Sequence, residues 1–483
     1  MRVLWVTIGL ASAIGVQACS DDADGGADAS GAPGLDSGDG RDDGGGARSG
    51  SGQSGSAAGG RGAAGAGAGG RTSGTGGGRA GAGGAGGAGG AGGAGGASGA
   101  GGMGGVGGMG TPSQSCTAPS PAFTAEEQML VDLPADTWFT VPNSQISPLC
   151  PGVSNCGGVI EAWSGGTFDP VHNQMLIFGG GHGDYSGNEV YAFKLASLAW
   201  ERLTDPSPDT YKNQDPLPDG QPVSRHSYDG ISYAVHADRM FVHGGARWQD
   251  GGGSNVSWAF DPAAKSWENR EPARELPLGN CCDEASAYDP KTKRIYFHLT
   301  KQLAAYDWEQ NTWVPLQDYG EPPYWPRYEV WGDKRAAIDT KRSLLWVLGS
   351  GLVMVYDIAG AAHVTDDWIT TGGASFDNAE QVGDRDEQLI TTGGGEVIRE
   401  NGPGVDYDVS ADALVAWVGG APWILDLSTK QWTRSAATGG PAQPSERGTY
   451  GRFRYVERLN LFVLVNAVDD DVHIYKHTSG CGR

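Results

Sequence analysis

The 483-residue sequence predicts an all-β chain, a six-bladed β-propeller closed by an N-terminal strand and preceded by a disordered Gly/Ala-rich linker. Three observations carry this expectation. The composition is split: of 83 Gly about half lie between Asp21 and Gly110, whereas every Trp except Trp5 lies beyond Thr111. Beyond that point, short β-branched and aromatic runs alternate with turn residues, and no helical period competes with them. Finally, a four-strand unit recurs six times at roughly 45–70-residue spacing, the pattern of a propeller. In three copies an aromatic residue precedes a Trp by nine positions: Tyr191 and Trp200, Trp258 and Trp267, Trp423 and Trp432. Length alone would allow two or three domains, but all-β domains of this size can be single.

Residues 1–18 have a positive start at Arg2, an apolar run from Val3 to Val16 and a small residue at Ala18, the pattern of a secretory signal peptide. The run is too short for a comfortable membrane span. Residues 19–115 are expected to be a linker. Their Gly-Gly-Ala period lacks the Pro of collagen, and the tract has too little apolar surface to fold. As a flexible coil its end-to-end distance would be on the order of 50 Å.

Residues 116–483 are expected to form the propeller, with blades at 164–203, 226–270, 283–313, 333–368, 402–432 and 448–477. The sixth unit stops one strand short. The segment 136–142, around Trp138, is a lone strand that would complete it and hide two sheet edges.

Two resemblances follow from these residues. Val16-Gln17-Ala18-Cys19 resembles the bacterial lipoprotein box, which implies cleavage before Cys19 and acylation of that residue. Ser20 in the following position favours, by analogy, the outer membrane. Diglycine after an apolar strand, then Tyr or Trp, then Trp, resembles the kelch repeat. FGGGHGDYSGNEVYAF and GTYGRFRY look like the kelch-type propellers of bacterial envelopes. This second resemblance implies the fold and leaves function to the site, because kelch propellers serve many roles.

Apart from Cys19, six Cys remain in a chain expected to be exported: Cys116, Cys150, Cys156, Cys281, Cys282 and Cys481. An even number in that setting suggests disulfides, with fifteen connectivities open. Spacing favours Cys150 with Cys156 across a short loop and Cys116 with Cys481 at the two ends. Cys281 and Cys282 would then form a vicinal pair, either a rigid turn or a redox centre. The spacing matches no zinc pattern.

Alternation of strand direction sorts the loops onto two faces. The turns between first and second strands, and between third and fourth, are short and bland. The other face gathers the unusual residues around the channel mouth: Glu161, His182, Asp184, Tyr185, Arg225, His226, Asp283, Glu284, Arg447, Tyr450 and Arg452. Large polar and aromatic groups approached by Gly-rich loops suit a ligand pocket. Structural tasks remain open to the same residues. His182 and Asp184 could brace their own loop, and the arginines could pair with carboxylates across blades. His182 and His226 with a carboxylate could hold a metal, but no spacing demands it, so no metal and no cofactor are assigned.

Charge narrows the partners. The net charge is -23, and the first 110 residues hold six Arg against eight Asp, so almost all the surplus falls on the folded part. Such a body disfavours nucleic acid and anionic membrane surfaces. There is no G-x-S-x-G elbow, H-E-x-x-H helix or P-loop. The expectation is a monomeric binding module in the bacterial cell envelope, attached to the membrane only through its lipid anchor. Its partner would be a carbohydrate, peptidoglycan or protein. The alternative is a carbohydrate-active enzyme: an oxidase, for whose copper Tyr185, Tyr450, His182 and His226 could be offered, or a metal-free isomerase using Glu161 or Glu284 with His226 and Arg447 for acid–base work.

Overall fold

The computed structural model describes residues 121–152, 155–273, 282, 284–299, 302–318, 333–359, 391 and 393–481. The expected signal peptide, Cys19, the Gly-rich tract, Asp283 and Trp368 lie outside the described residues. Among those described, no helix is long and apolar enough to cross a membrane.

Six antiparallel sheets are arranged as blades. From the inner strand outward, blade one comprises Gly166–Asp169, Gln174–Ile177, Tyr191–Lys194 and Ala199–Arg202. Blade two comprises Ile231–Ala234, Arg239–Val242, Trp258–Asp261 and Ser266–Asn269. Blade three comprises Ala285–Asp289, Arg294–Leu299, Gln302–Asp307 and Thr312–Asp318. Three described strands of blade four are Arg335–Asp339, Leu344–Gly349 and Leu352–Asp357. Blade five comprises Gly404–Asp408, Ala413–Trp417, Trp423–Asp426 and Gln431–Arg434. Blade six comprises Phe453–Val456, Leu461–Leu464 and His473–Lys476, and its outermost strand is Thr137–Thr140 from the other end of the chain. That strand pairs antiparallel from Thr137 opposite Lys476 to Thr140 opposite His473. Each inner strand touches the next, and that of blade six touches that of blade one, so the ring is closed.

Local chemistry explains the turns. The inner strands of blades one, three, four and five end in Asp169, Asp289, Asp339 and Asp408, all fully buried. Each carboxylate accepts the backbone N–H groups two and three residues on, as Asp169 does from Val171 and His172 at 2.9 Å. Such Asx turns satisfy donors that the chain reversal would otherwise strand. Blades two and six have Ala234 and Val456 in that place and turn instead through one 3₁₀ turn each, Val235–Ala237 and Glu457–Leu459. In all six blades the turn closes on a left-handed residue: Asn173, Asp238, Lys293, Ser343, Asp412 or Asn460.

Between neighbouring blades lie six apolar clusters, one for each seam of the ring. The Trp residues near the outer strands belong to these clusters. Trp313 and Trp432 are buried, and Trp313 reaches across to Phe241 of blade two, 6.0 Å between ring centroids. Polar bonds tie the same seams: His236 to Tyr288, Lys291 to Ser343, Arg342 to Asp412 and Tyr455 to Ser410. At the seam between blades six and one the link is the short helix Ala125–Val131. Its buried Glu127 accepts from Asn173 of blade one and Arg458 of blade six, and also completes a capping box with Thr124.

A buried ion pair joins the inner edges of the blades. Asp229, just ahead of the inner strand of blade two, accepts from Arg335 Nη1 of blade four at 2.6 Å. It also accepts from the backbone N–H groups of Ser286 and Ala336, and Arg335 Nε donates to the Val405 carbonyl. Blades two to five thus meet on two side chains, both without solvent exposure.

Cys150 and Cys156 are bridged, as expected. Cys282 and Cys481 are also disulfide-bonded, but the pairings expected with Cys281 and Cys116 fall outside the described residues.

Candidate functional site

The mouth between blades six, one and two is built on the long loop that joins the second and third strands of blade one. Gly181 in that loop has a φ of 88°, and a Cβ there would lie 2.3 Å from the Arg225 backbone. Only Gly allows the loop to press against the ribbon formed by Arg225–His226 and Ala246–Arg247. That contact brings His182 and Asp184 over the connection into blade two.

Four side chains then close a circuit. Asp184 accepts from His226 Nε2 at 2.8 Å and from Arg447 Nη1 at 2.9 Å. The Arg447 guanidinium lies 4.1 Å from the centre of the Trp163 ring, and Trp163 packs on His226 at 4.9 Å. The His226 bond, more than the one from Arg447, holds the Asp184 carboxyl below its ordinary range against the opposing effect of burial. His182 meets the edge of His226 at 5.6 Å. Tyr228 follows at 6.0 Å from His226, and Tyr450 lies 6.0 Å beyond Tyr228.

The backbone at this mouth is unusual. Trp163, His182, Tyr228 and Tyr450 all have left-handed φ, between 38° and 48°. Each such bulky residue costs about 1–3 kcal/mol. Trp163, Tyr228 and Tyr450 occupy matching places, just ahead of the inner strands of blades one, two and six, and the Tyr228 N–H donates to the Trp163 carbonyl at 2.7 Å. Strain of this kind concentrates where a site needs its side chains aimed.

Beside the circuit opens a cavity of about 560 Å³. Its polar walls carry the amides of Asn155, Gln443 and Asn466, the Ser445 hydroxyl, the carboxylates of Glu161, Asp184 and Glu446, and the Arg447 guanidinium. Glu161 and Glu446 are exposed. Two other grooves have walls whose charged side chains are already paired. One, of about 270 Å³, contains Arg270 stacked on Trp308 and bonded to Glu268. The other, of about 520 Å³, contains Arg202 paired with Asp205.

The residues singled out from sequence separate into two layers. Glu161, His182, Asp184, His226, Arg447 and Tyr450 gather at or directly behind the mouth. Tyr185, Arg225, Glu284 and Arg452 lie in the framework beneath it. Tyr185 is buried with its hydroxyl on Glu189 at 2.6 Å, and burial pushes that phenol up. Arg225 is buried against Asp215 and the Gly244 carbonyl. Glu284 is buried and accepts from the Gly245 N–H at 3.0 Å. Arg452 donates to the carbonyls of Ser164, Val465 and Gly448, and burial lowers its pKa to about 10.

Tyr228, Asn155, Gln443, Ser445, Glu446 and Asn466 were not singled out from sequence. For Tyr228 a signal existed, its match in position to Trp163 and Tyr450. The others stand in irregular connections with no repeat to mark them.

Among the described residues, one His–carboxylate group has metal-like spacing: Asp169, His172 and Asp238, on the opposite face. The Asp169 carboxylate is already filled by two backbone donors, His172 and Gln174.

No protein-family model and no curated protein matches the chain. Among solved structures, it is similar to an auxiliary nutrient-binding protein from Bacteroides thetaiotaomicron, at 12% identity and a TM-score of 0.39, over 66% of this chain and 68% of that one.

Proposed function

We propose that this chain is a binding module whose ligand, a neutral or cationic saccharide, occupies the cavity at the mouth between blades six and one. The observation that carries the reading is the chemistry of the cavity wall. Three amides and a hydroxyl offer donors and acceptors that match sugar hydroxyls, within a volume suited to a small ligand. The exposed carboxylates of Glu161 and Glu446 disfavour anionic ligands, and the one guanidinium, on Arg447, is already engaged by Asp184. Binding is favoured over acid–base catalysis because His226 is 2% exposed and packed against Trp163. Glu284 is buried on the Gly245 N–H. In the same reading the module is a kelch-type propeller, anchored through Cys19 in a bacterial envelope and held out on its Gly-rich arm.

Calorimetry of the full chain against neutral, amino-bearing and uronic-acid oligosaccharides and muropeptides tests this. Binding is expected in the neutral or amino-bearing set and weak in the acidic set. Arg447→Ala and Glu446→Gln should each lower affinity about tenfold, which corresponds to about 1.4 kcal/mol. Saccharide binding that neither substitution alters, or none at all, would refute the assignment.

A further inference from the structure

The cavity wall that carries Asn155 and Glu161 is short and is seated on the core through Val159 and Ile160. It consists of Asn155, Cys156 and the four-residue helix Gly158–Glu161, far below the length at which a helix is stable alone. Yet its position decides the cavity. Asn155 Nδ2 donates to the Asp184 carbonyl at 3.1 Å, and Glu161 and Ala162 complete that wall. Gly158 comes so close to the blade-one loop that a Cβ would lie 2.6 Å from Tyr185 Cβ.

On the other side of the bridge, Cys150 stands on a fixed base. The 3₁₀ turn Ser147–Leu149 precedes it. The N–H groups of Ile146 and Ser147 donate to the Val468 carbonyl of the blade-six loop, and Arg202 of blade one donates to the Leu149 carbonyl at 2.8 Å. The Cys150–Cys156 bond therefore joins an anchor held by two blades to a wall whose Val159 and Ile160 are seated in the apolar core between blades six and one, while Asn155 and Glu161, which face the cavity, are exposed.

We propose that the Cys150–Cys156 disulfide positions the wall of the mouth cavity, so that its reduction unmakes the ligand site while the propeller stays folded. A small dithiol has access, since Cys150 is half-buried and lines the groove beside Trp200 and Arg202. One thiolate of the reagent attacks Cys150 Sγ, and Cys156 leaves as thiolate and takes up a proton. The second reagent thiol then attacks the mixed disulfide, the reagent is oxidised to its own disulfide, and Cys150 is released as thiol. Opening the bond returns conformational freedom to the loop and the wall.

The ligand arm of the test rests on the saccharide reading, and a second arm does not. Full-length wild type and the Cys150→Ser/Cys156→Ser double variant are compared by hydrogen exchange and by calorimetry with the saccharide that binds wild type. Amides of Gly158–Ala162, protected in the oxidised protein by the carbonyls of Asn155 to Gly158, should exchange at least tenfold faster in the variant. Amides of Leu344–Gly349 in blade four should be unchanged, and affinity should fall at least tenfold. In wild type titrated with dithiothreitol, affinity should fall in step with the Cys150 and Cys156 thiols detected by peptide mapping.

Unchanged exchange at Gly158–Ala162 overturns the proposal. So does lost protection throughout the blades, or a variant that fails to fold. If the exchange result is as expected but no saccharide binds even the oxidised protein, the saccharide reading falls and the positioning role stands.

Discussion

Asp229 and Arg335 are taken wholly out of water and returned to one another at the inner edges of the blades. Burial pushes the Asp229 carboxyl above its ordinary range in spite of the adjacent guanidinium. Such a pair stabilises little relative to apolar residues of the same size, but leaving one member alone is costly. Asp229→Ala and Arg335→Ala should each cost about 3–5 kcal/mol in urea denaturation, and Asp229→Leu with Arg335→Met should cost much less than their sum. Additive losses across that cycle would mean that the two charges do not act as a pair.

Lys476 supplies a pH signature at the same scale. Its ammonium is buried, with Leu459 and Gly480 carbonyls as acceptors, and burial lowers its pKa from 10.5 to about 8. Between pH 8 and 10.5 the unfolded chain holds this proton and the folded chain does not. Stability contributed by the group therefore rises with pH across that window, and is flat below pH 8 where both states are protonated. The difference in unfolding free energy between wild type and Lys476→Met should grow by up to roughly 3 kcal/mol over that range. A difference independent of pH would show that the folded amine titrates normally.

The arginines show what sequence conceals at residue scale. Arg225, Arg447 and Arg452 look alike in connections of similar composition. Only Arg447 reaches the cavity, because the carbonyls and the Asp215 carboxylate that solvate the other two are delivered by the fold.

Among the elements, those that repeat were legible and those that occur once were not. The nine-residue aromatic spacing marks a third strand, a turn and an outer strand, and Trp258 with Trp267 spans that hairpin. The outer strand Thr137–Thr140 lies inside the segment expected to complete blade six. By contrast, the helix Gly158–Glu161 has no period to find, and it is placed by the burial of Val159 and Ile160, a Gly contact and the neighbouring disulfide rather than by its own propensity. The helix Ala125–Val131 was also missed, although Thr124 and Glu127 form a capping box. Its Glu127 joins blades six and one, so Glu127→Ala should cost about 1–3 kcal/mol by leaving Asn173 short of a partner and uncapping the helix. Thermal unfolding checks this. An unchanged midpoint would make the helix a passive covering of that seam.

For the molecule as a whole, the charge of -23 is not spread as a uniform outer field. Asp169, Asp289, Asp339 and Asp408 lie inside the turns, and Asp215 and Asp229 neutralise buried arginines. The acidic excess thus serves chain reversal and the neutralisation of buried arginines in part.

The ring also sets an order in time. Thr137 and Lys476, partners in the last sheet, are separated by about 340 residues of chain, which at about 5–20 residues per second is a delay of tens of seconds during synthesis. The earliest-made strand must wait unpaired until the final one arrives. Throughout that interval its edge is open to any other extended chain, so the nascent protein is most vulnerable at the segment that later seals it.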